Sequence, residues 1–207
     1  MIEGNTVGTV GVANSGCEIV GCAGISISNN NATGTHKVTI KSNQIHDTEG
    51  SAILVISGGG SDVSTASLTI QNNTISNPDQ GATAANPAVL IQSGSTIGTD
   101  TSNTCADISS NTITGTWSLG TTHLSSVRVR SLTTVAGSFA LLGFNPATEY
   151  PNSTSLIAAC TGNVGTAGNV ADYVRSVNPG ITNSPDTQNA TSATQGAAAF
   201  TGSVSCP

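Results

Sequence analysis

The sequence predicts an all-β fold, a right-handed parallel β-helix in which stacked coils form a solenoid, closed by a short C-terminal helix and an irregular tail. Three observations predict it. One short motif recurs four times in a single register, a β-branched run follows each copy, and the composition suits an elongated aliphatic stack.

The motif comes first, because a fixed internal period constrains the fold more than any local propensity. It reads Ile2-Glu-Gly-Asn5-Thr-Val7, Ile40-Lys-Ser-Asn43-Gln-Ile45, Ile70-Gln-Asn-Asn73-Thr-Ile75 and Ile108-Ser-Ser-Asn111-Thr-Ile113. From Asn5 to Asn43, Asn73 and Asn111 the intervals are 38, 30 and 38 residues. The runs that follow are Gly24-Ile-Ser-Ile-Ser28, Ile53-Leu-Val-Ile-Ser57, Ala88-Val-Leu-Ile-Gln92 and Ser126-Val-Arg-Val-Arg130. Each alternates with period two, as a half-buried strand does. Each ends in a small polar turn, as at Asn29-Asn30-Asn31 and Gly58-Gly59-Gly60.

One such coil cannot bury its apolar face alone. Stacking coil on coil, at roughly 4.8 Å per layer, gives a continuous aliphatic interior. Val127 and Val129 then point inward, and Arg128 and Arg130 outward. Asn5, Asn43, Asn73 and Asn111 are expected to stack as a structural ladder. Their side-chain amides would bond coil to coil at a bend where Asn tolerates the left-handed conformation.

Composition narrows the function classes. Of 207 residues, 8% are charged, against about 25% in typical soluble domains. Aromatics are 3%, too few to fill a compact core, whereas stacked Ile, Val, Leu and Ala need fewer. The hydrophobic content of 36%, in short β-branched runs, argues against disorder. Net charge is −6 with five Lys and Arg, so nucleic acid is disfavoured as a partner. No apolar stretch approaches the roughly 20 residues that span a bilayer.

Cysteine usage suits an oxidising compartment, so the expected location is secreted or cell surface. Cys17 and Cys22 are close enough to close a small loop. A second bridge, Cys160–Cys206, is expected, with Cys105 free; spacing alone does not fix connectivity, and five reduced thiols in a cytosolic protein is the alternative. Residues 2–5 do not read as a signal peptide, so an export signal would lie outside the chain. Because Ile2 already stands inside a motif, the chain reads as the C-terminal portion of a longer protein, or as one with an exposed first coil suited to an end-to-end homo-oligomer.

The repeats Asn72-Asn73-Thr-Ile-Ser-Asn77 and Ser110-Asn111-Thr-Ile-Thr-Gly115 resemble those of bacterial right-handed parallel β-helix proteins. That class includes pectate-lyase-like enzymes, adhesin passengers and large extracellular proteins. The resemblance covers roughly residues 1–135 and implies the fold; the motif is a packing device and does not imply an activity. The stretch opening at Cys105-Ala-Asp107-Ile108 is similar to the C-terminal ends of long bacterial β-strand-repeat proteins, where Asn often stands in place of Asp107.

Residues 1–135 are therefore read as repeats and 136–207 as a capping segment. Val170, Tyr173, Val174 and Val177 follow a helical face, with Asn169 as N-cap and Pro179-Gly180 as a stop, predicting a helix over 169–178. Residues 181–198 read as an extended loop, and Phe200 to Cys206 as a last strand tied by Cys206.

Candidate chemistry comes from aligning outward positions by register. Six residues after each ladder Asn stand Gly11, Glu49, Asp79 and Trp117, with His46 and Asp47 just before Glu49. Carboxylates from adjacent coils about 5–9 Å apart can act as acid and base on a glycosidic bond. Asp47, Glu49 and Asp79 are the candidate catalytic groups, with Trp117 and His46 as substrate contacts. A polysaccharide or cell-surface glycan is the matching partner. No cofactor is required, although the same oxygens are a candidate Ca²⁺ site. The enzyme alternative is a glycoside hydrolase or lyase. Against it, no aspartate trio of the lyase calcium type appears, and Arg128 and Arg130 lie on a different strand from the carboxylates. Serine-hydrolase and phosphate-loop patterns are absent. The leading expectation is a non-catalytic extracellular module, a scaffold or adhesin-like stalk. A third, weaker reading is ice or mineral binding through outward Thr39 and Thr69, stacked with Ser109 and Gly4.

Overall fold

The computed structural model describes residues 1–19, 22–29, 33–59, 63–80, 86–94, 101–115, 126–131, 138–145, 170, 173–181, 192–195, 200–203 and 205–206. These are mostly strand, arranged in three parallel sheets compatible with a parallel β-helix. The first sheet contains β1 (Ile2–Glu3), β4 (Thr33–Lys41), β7 (Val63–Gln71), β10 (Asn103–Ser109), β13 (Ser138–Leu142) and β16 (Phe200–Ser203) in that order. The second contains β2 (Thr6–Val7), β5 (Gln44–His46), β8 (Thr74–Ser76), β11 (Thr112–Thr114) and β14 (Gly180–Ile181). The third contains β3 (Ile25–Asn29), β6 (Ile53–Ser57), β9 (Val89–Ser93), β12 (Val127–Ser131) and β15 (Ser192–Gln195). Every strand thus pairs with the strand three further along the chain. Parallel partners need a long crossover, and here the other two strands of each three-strand tier supply it.

The register explains the repeat. Ile40, Ile70 and Ile108 stand side by side in the first sheet. Ile45, Ile75, Ile113 and Ile181 do so in the second. Ile53, Val89 and Val127, with Val55, Ile91 and Val129, do so in the third. All are buried and form one aliphatic core. Each such side chain withdrawn from water contributes about 1.5–3 kcal/mol, so a stack of identical layers stabilises the fold despite the scarcity of aromatics. The few aromatics collect at the C-terminal end. Phe139 lies 5.4 Å from Phe200, and Phe144 lies 5.5 Å from Tyr173, centroid to centroid.

The asparagine ladder is present and one member longer than expected. The main-chain N–H and the Nδ2 of Asn5 both donate to Asn43 Oδ1, at 3.0 Å each. Asn43 donates in the same way to Asn73, and Asn73 to Asn111. Asn111 then donates to Asn178 Oδ1, at 2.9 Å from both nitrogens. Each Nδ2 from Asn43 onward makes a second bond, to the carbonyl of Ile2, Ile40, Ile70 or Ile108 in the preceding tier. The left-handed residue at the bend is not the ladder Asn but the one before it: Gly4, Ser42, Asn72 and Ser110 have φ of 67°, 56°, 54° and 58°. That conformation turns the following Asn side chain toward its neighbour.

The sheets run on past residue 135, through β13 to β16. Between β13 and β14 stands a short helix, α1, with residues 170 and 173–176 helical. Val170, Tyr173 and Val174 are buried in the core, and the Tyr173 hydroxyl donates to the Leu142 carbonyl. Asn169 lies outside the described residues. The loop expected over 181–198 is corrected at both ends. Ile181 belongs to β14, and Ser192–Gln195 forms β15, whose parallel pairing with β12 satisfies backbone groups that a loop would leave to water.

The expected Cys17–Cys22 bridge is present. The expected Cys160–Cys206 bridge is not: Cys206 pairs with Cys105, their Cα atoms 5.4 Å apart. The cause lies in the pleat. Thr104, Ala106 and Ile108 point inward from β10, so Cys105 points outward. In register with it are Ala140 on β13 and Thr201 on β16. The tail after β16 folds back across that row and reaches Cys105. Cys160 lies outside the described residues.

Candidate functional site

Of the candidate residues, His46, Asp47, Glu49 and Asp79 lie within the described structure, and Trp117 lies outside it. All four are buried. His46 ends β5 on the side opposite the core residue Ile45, and its Nδ1 lies 2.6 Å from Ser76 Oγ in the next tier. The N-terminal loop covers it: a Cβ on Gly8 would meet the His46 carbonyl at 2.1 Å.

Asp47 follows β5 in the left-handed conformation, with φ of 51°. Its Oδ2 accepts the Gly11 N–H at 3.0 Å, and its Oδ1 accepts Asn77 Nδ2 at 3.1 Å. Asn77 and Gly115 follow β8 and β11 at the equivalent positions, also with positive φ. Asp47 and Asn77 thus form a second, shorter stack at the far corner of the second sheet. Gly115 ends it, because a Cβ there would lie 2.1 Å from Asn77 Oδ1.

Asp79 also has positive φ, 54°, and no exposed surface. Its two oxygens accept from Asn86, one from the main-chain N–H at 3.1 Å and one from Nδ2 at 3.0 Å. Its own N–H donates to the Gly50 carbonyl. Asp79 therefore pins the loop from β8 toward β9. Glu49 is 7% exposed, and its N–H donates to the Cys17 carbonyl. The tier-to-tier partner of this stretch is the Cys17 region, since Cys17 bridges Thr48. Gly11 meets Asp47 instead. Counting six from each Asn misplaces these positions because the loops between sheets differ in length.

The structure thus brings His46 to Ser76 and Asp47 to Asn77 and Gly11, and joins Asp79 to Asn86. Among the described residues no three His, Cys, Asp or Glu side chains converge as a metal site.

The outer faces differ in chemistry. On the first sheet, Glu3, Lys41, Gln71 and Ser109 form one row, with Lys41 Nζ 3.0 Å from Glu3 Oε1. Thr39 and Thr69 stand beside Asp107, so Ser109 and Gly4 do not complete their row. A second row aligns Thr35, Thr65 and Asn103. Gln71 donates to Asp107 at 2.7 Å, which occupies the centre of this face with internal bonds. On the third sheet, Ser26, Leu54, Leu90 and Arg128 form one outer row, and Ser28, Ile56, Gln92 and Arg130 the next. Burial, and secondarily the adjacent Arg128, push the Arg130 guanidinium below its ordinary value. No described helix is long and apolar enough to cross a membrane. Comparison with known proteins adds no assignment: no protein-family model, no curated protein and no solved structure matches the chain.

Proposed function

We propose that the chain is a non-catalytic extracellular scaffold module, a right-handed parallel β-helix related to the bacterial β-helix repeat proteins. Right-handedness follows the strong preference of parallel crossovers. Two disulfides favour an oxidising compartment. The observation that carries the reading is the use made of the candidate acids. Both oxygens of Asp47 and both of Asp79 accept bonds that hold loops and tiers in place, and both residues are buried. A general acid or base must reach a substrate proton within about 3 Å, and groups committed to backbone N–H and amide donors are placed to fix structure.

The test is a panel of acidic and neutral polysaccharides, incubated with the purified chain with and without Ca²⁺. Bond cleavage and binding are read separately. The expectation is no cleavage, and loss of stability in Asp47→Ala and Asp79→Ala, each by about 1–3 kcal/mol from stranded donors. Cleavage abolished by Glu49→Gln, Asp47→Asn or Asp79→Asn in a still-folded protein would replace this reading with the enzyme.

A further inference from the structure

The asparagine ladder has a direction, and its two ends differ. Every member donates toward the C-terminal neighbour and accepts from the N-terminal one. At the C-terminal end, α1 consumes the donors. The Asn178 main-chain N–H donates to the Arg175 carbonyl, and its Nδ2 donates to the Val174 carbonyl at 2.6 Å. Nothing is left to pass on. At the N-terminal end, Asn5 is exposed, and among the described residues its Oδ1 accepts no hydrogen bond.

Two further features mark the same end. β1, β2 and β3 are each the last strand of their sheet, so each presents an unpaired edge. Ile2, Val7 and Ile27, which continue the core columns, are only partly buried. Four of the five large apolar side chains most exposed among the described residues are also here: Met1, Val10, Val12 and Ile19, the last two 52% and 74% exposed. Open strand edges beside apolar surface are pairing sites.

We propose that the face made by β1, β2 and β3 receives one further parallel three-strand tier from a separate polypeptide. The incoming ladder residue donates its main-chain N–H and a side-chain N–H to Asn5 Oδ1. A second copy of this chain does not fit. Stacked head to tail it offers Asn178, whose donors α1 has consumed. Stacked face to face it sets Asn5 Oδ1 against Asn5 Oδ1, acceptor against acceptor. The expected end-to-end homo-oligomer is therefore blocked by α1, and the chain acts as a terminal tier-stack that extends at one end only. This inference deepens the scaffold reading and rests on it.

The test uses the intact protein and a synthetic peptide of residues 33–59, which carries β4, β5, β6 and the donor Asn43. Saturable binding is expected by fluorescence anisotropy, with hydrogen-exchange protection gained in β1, β2 and β3. Asn43→Leu in the peptide, or Asn5→Leu in the protein, weakens binding about tenfold, the loss of one or two neutral hydrogen bonds. Asn5→Leu keeps the fold, because Asn43 Oδ1 still accepts the main-chain N–H of residue 5. Three results would overturn the proposal: no binding, binding indifferent to both substitutions, or self-association of the protein alone that buries β1 to β3. Failure here with no polysaccharide cleavage removes the interface and leaves the scaffold. Cleavage removes the scaffold whatever the peptide does.

Discussion

Asn73 is the residue on which the ladder turns. It has no exposed surface; its Oδ1 accepts two N–H groups of Asn43, and its own nitrogens donate to Asn111 and to the Ile40 carbonyl. Asn73→Ala strands those donors and acceptors in the interior, and a loss of about 2–4 kcal/mol is expected in urea unfolding. Asn5→Ala, at the exposed end, should cost less than about 1 kcal/mol. Equal small losses at both positions would reduce the ladder to solvated turn residues. The four-fold motif made Asn5, Asn43, Asn73 and Asn111 legible before any coordinates. Asn178 was not, for two reasons. It stands 67 residues after Asn111, where the earlier intervals are 38 and 30. Pro179-Gly180 also shifts Ile181 one place from its expected offset, a shift that the turn absorbs through the Ile181 N–H to Asn178 carbonyl bond. The roles of Asp47 and Asp79 were equally hidden, because an acid bonded to a backbone N–H looks in sequence like any acid in a loop.

At the scale of elements, β16 depends most on a covalent tie. It pairs only with β13 and stands last in its sheet, yet it buries Phe200 against Phe139. The Cys105–Cys206 bridge, closing a sequence separation of 101, fastens it across β13 to β10. In the chain-entropy account a loop of that length contributes about 4–5 kcal/mol, against about 2 kcal/mol for the short Cys17–Cys22 loop. Cys206→Ser is therefore expected to destabilise about twice as much as Cys22→Ser. Hydrogen exchange should show the lost protection confined to β16 and the adjoining edge of β13. Uniform loss across all three sheets would mean that the bridge holds the whole stack. Strand identity in this region was only half legible. Phe200 onward read as a strand, but β15 carries Ser, Ala, Thr and Gln, residues without a strand signature. Its pairing with Val129 and its neighbours, a tertiary effect, decides its conformation.

For the whole molecule the consequence of stacking is that each tier contacts only its neighbours, so stability varies along the axis. The central tiers, β4 to β12, are flanked on both sides and hold the fully buried Ile40, Ile45, Ile53, Ile70, Ile75, Ile91 and Ile113. The N-terminal tier is flanked on one side only, and its two strands β1 and β2 have two residues each. The C-terminal tiers are likewise terminal but carry α1, the aromatic pairs and the Cys105–Cys206 bridge. Amide exchange should therefore be asymmetric: slowest in β7 and β10, intermediate in β13, and fastest in β1, β2 and β3. A symmetric profile, fraying equally at both ends, would contradict α1 as the ladder's terminator. If β1 to β3 prove as protected as β7 in the isolated chain, that end is already covered and cannot be the open face. The gradient thus follows from the same hydrogen-bond direction that leaves Asn5 Oδ1 unfilled, and one exchange experiment on the unliganded protein tests both.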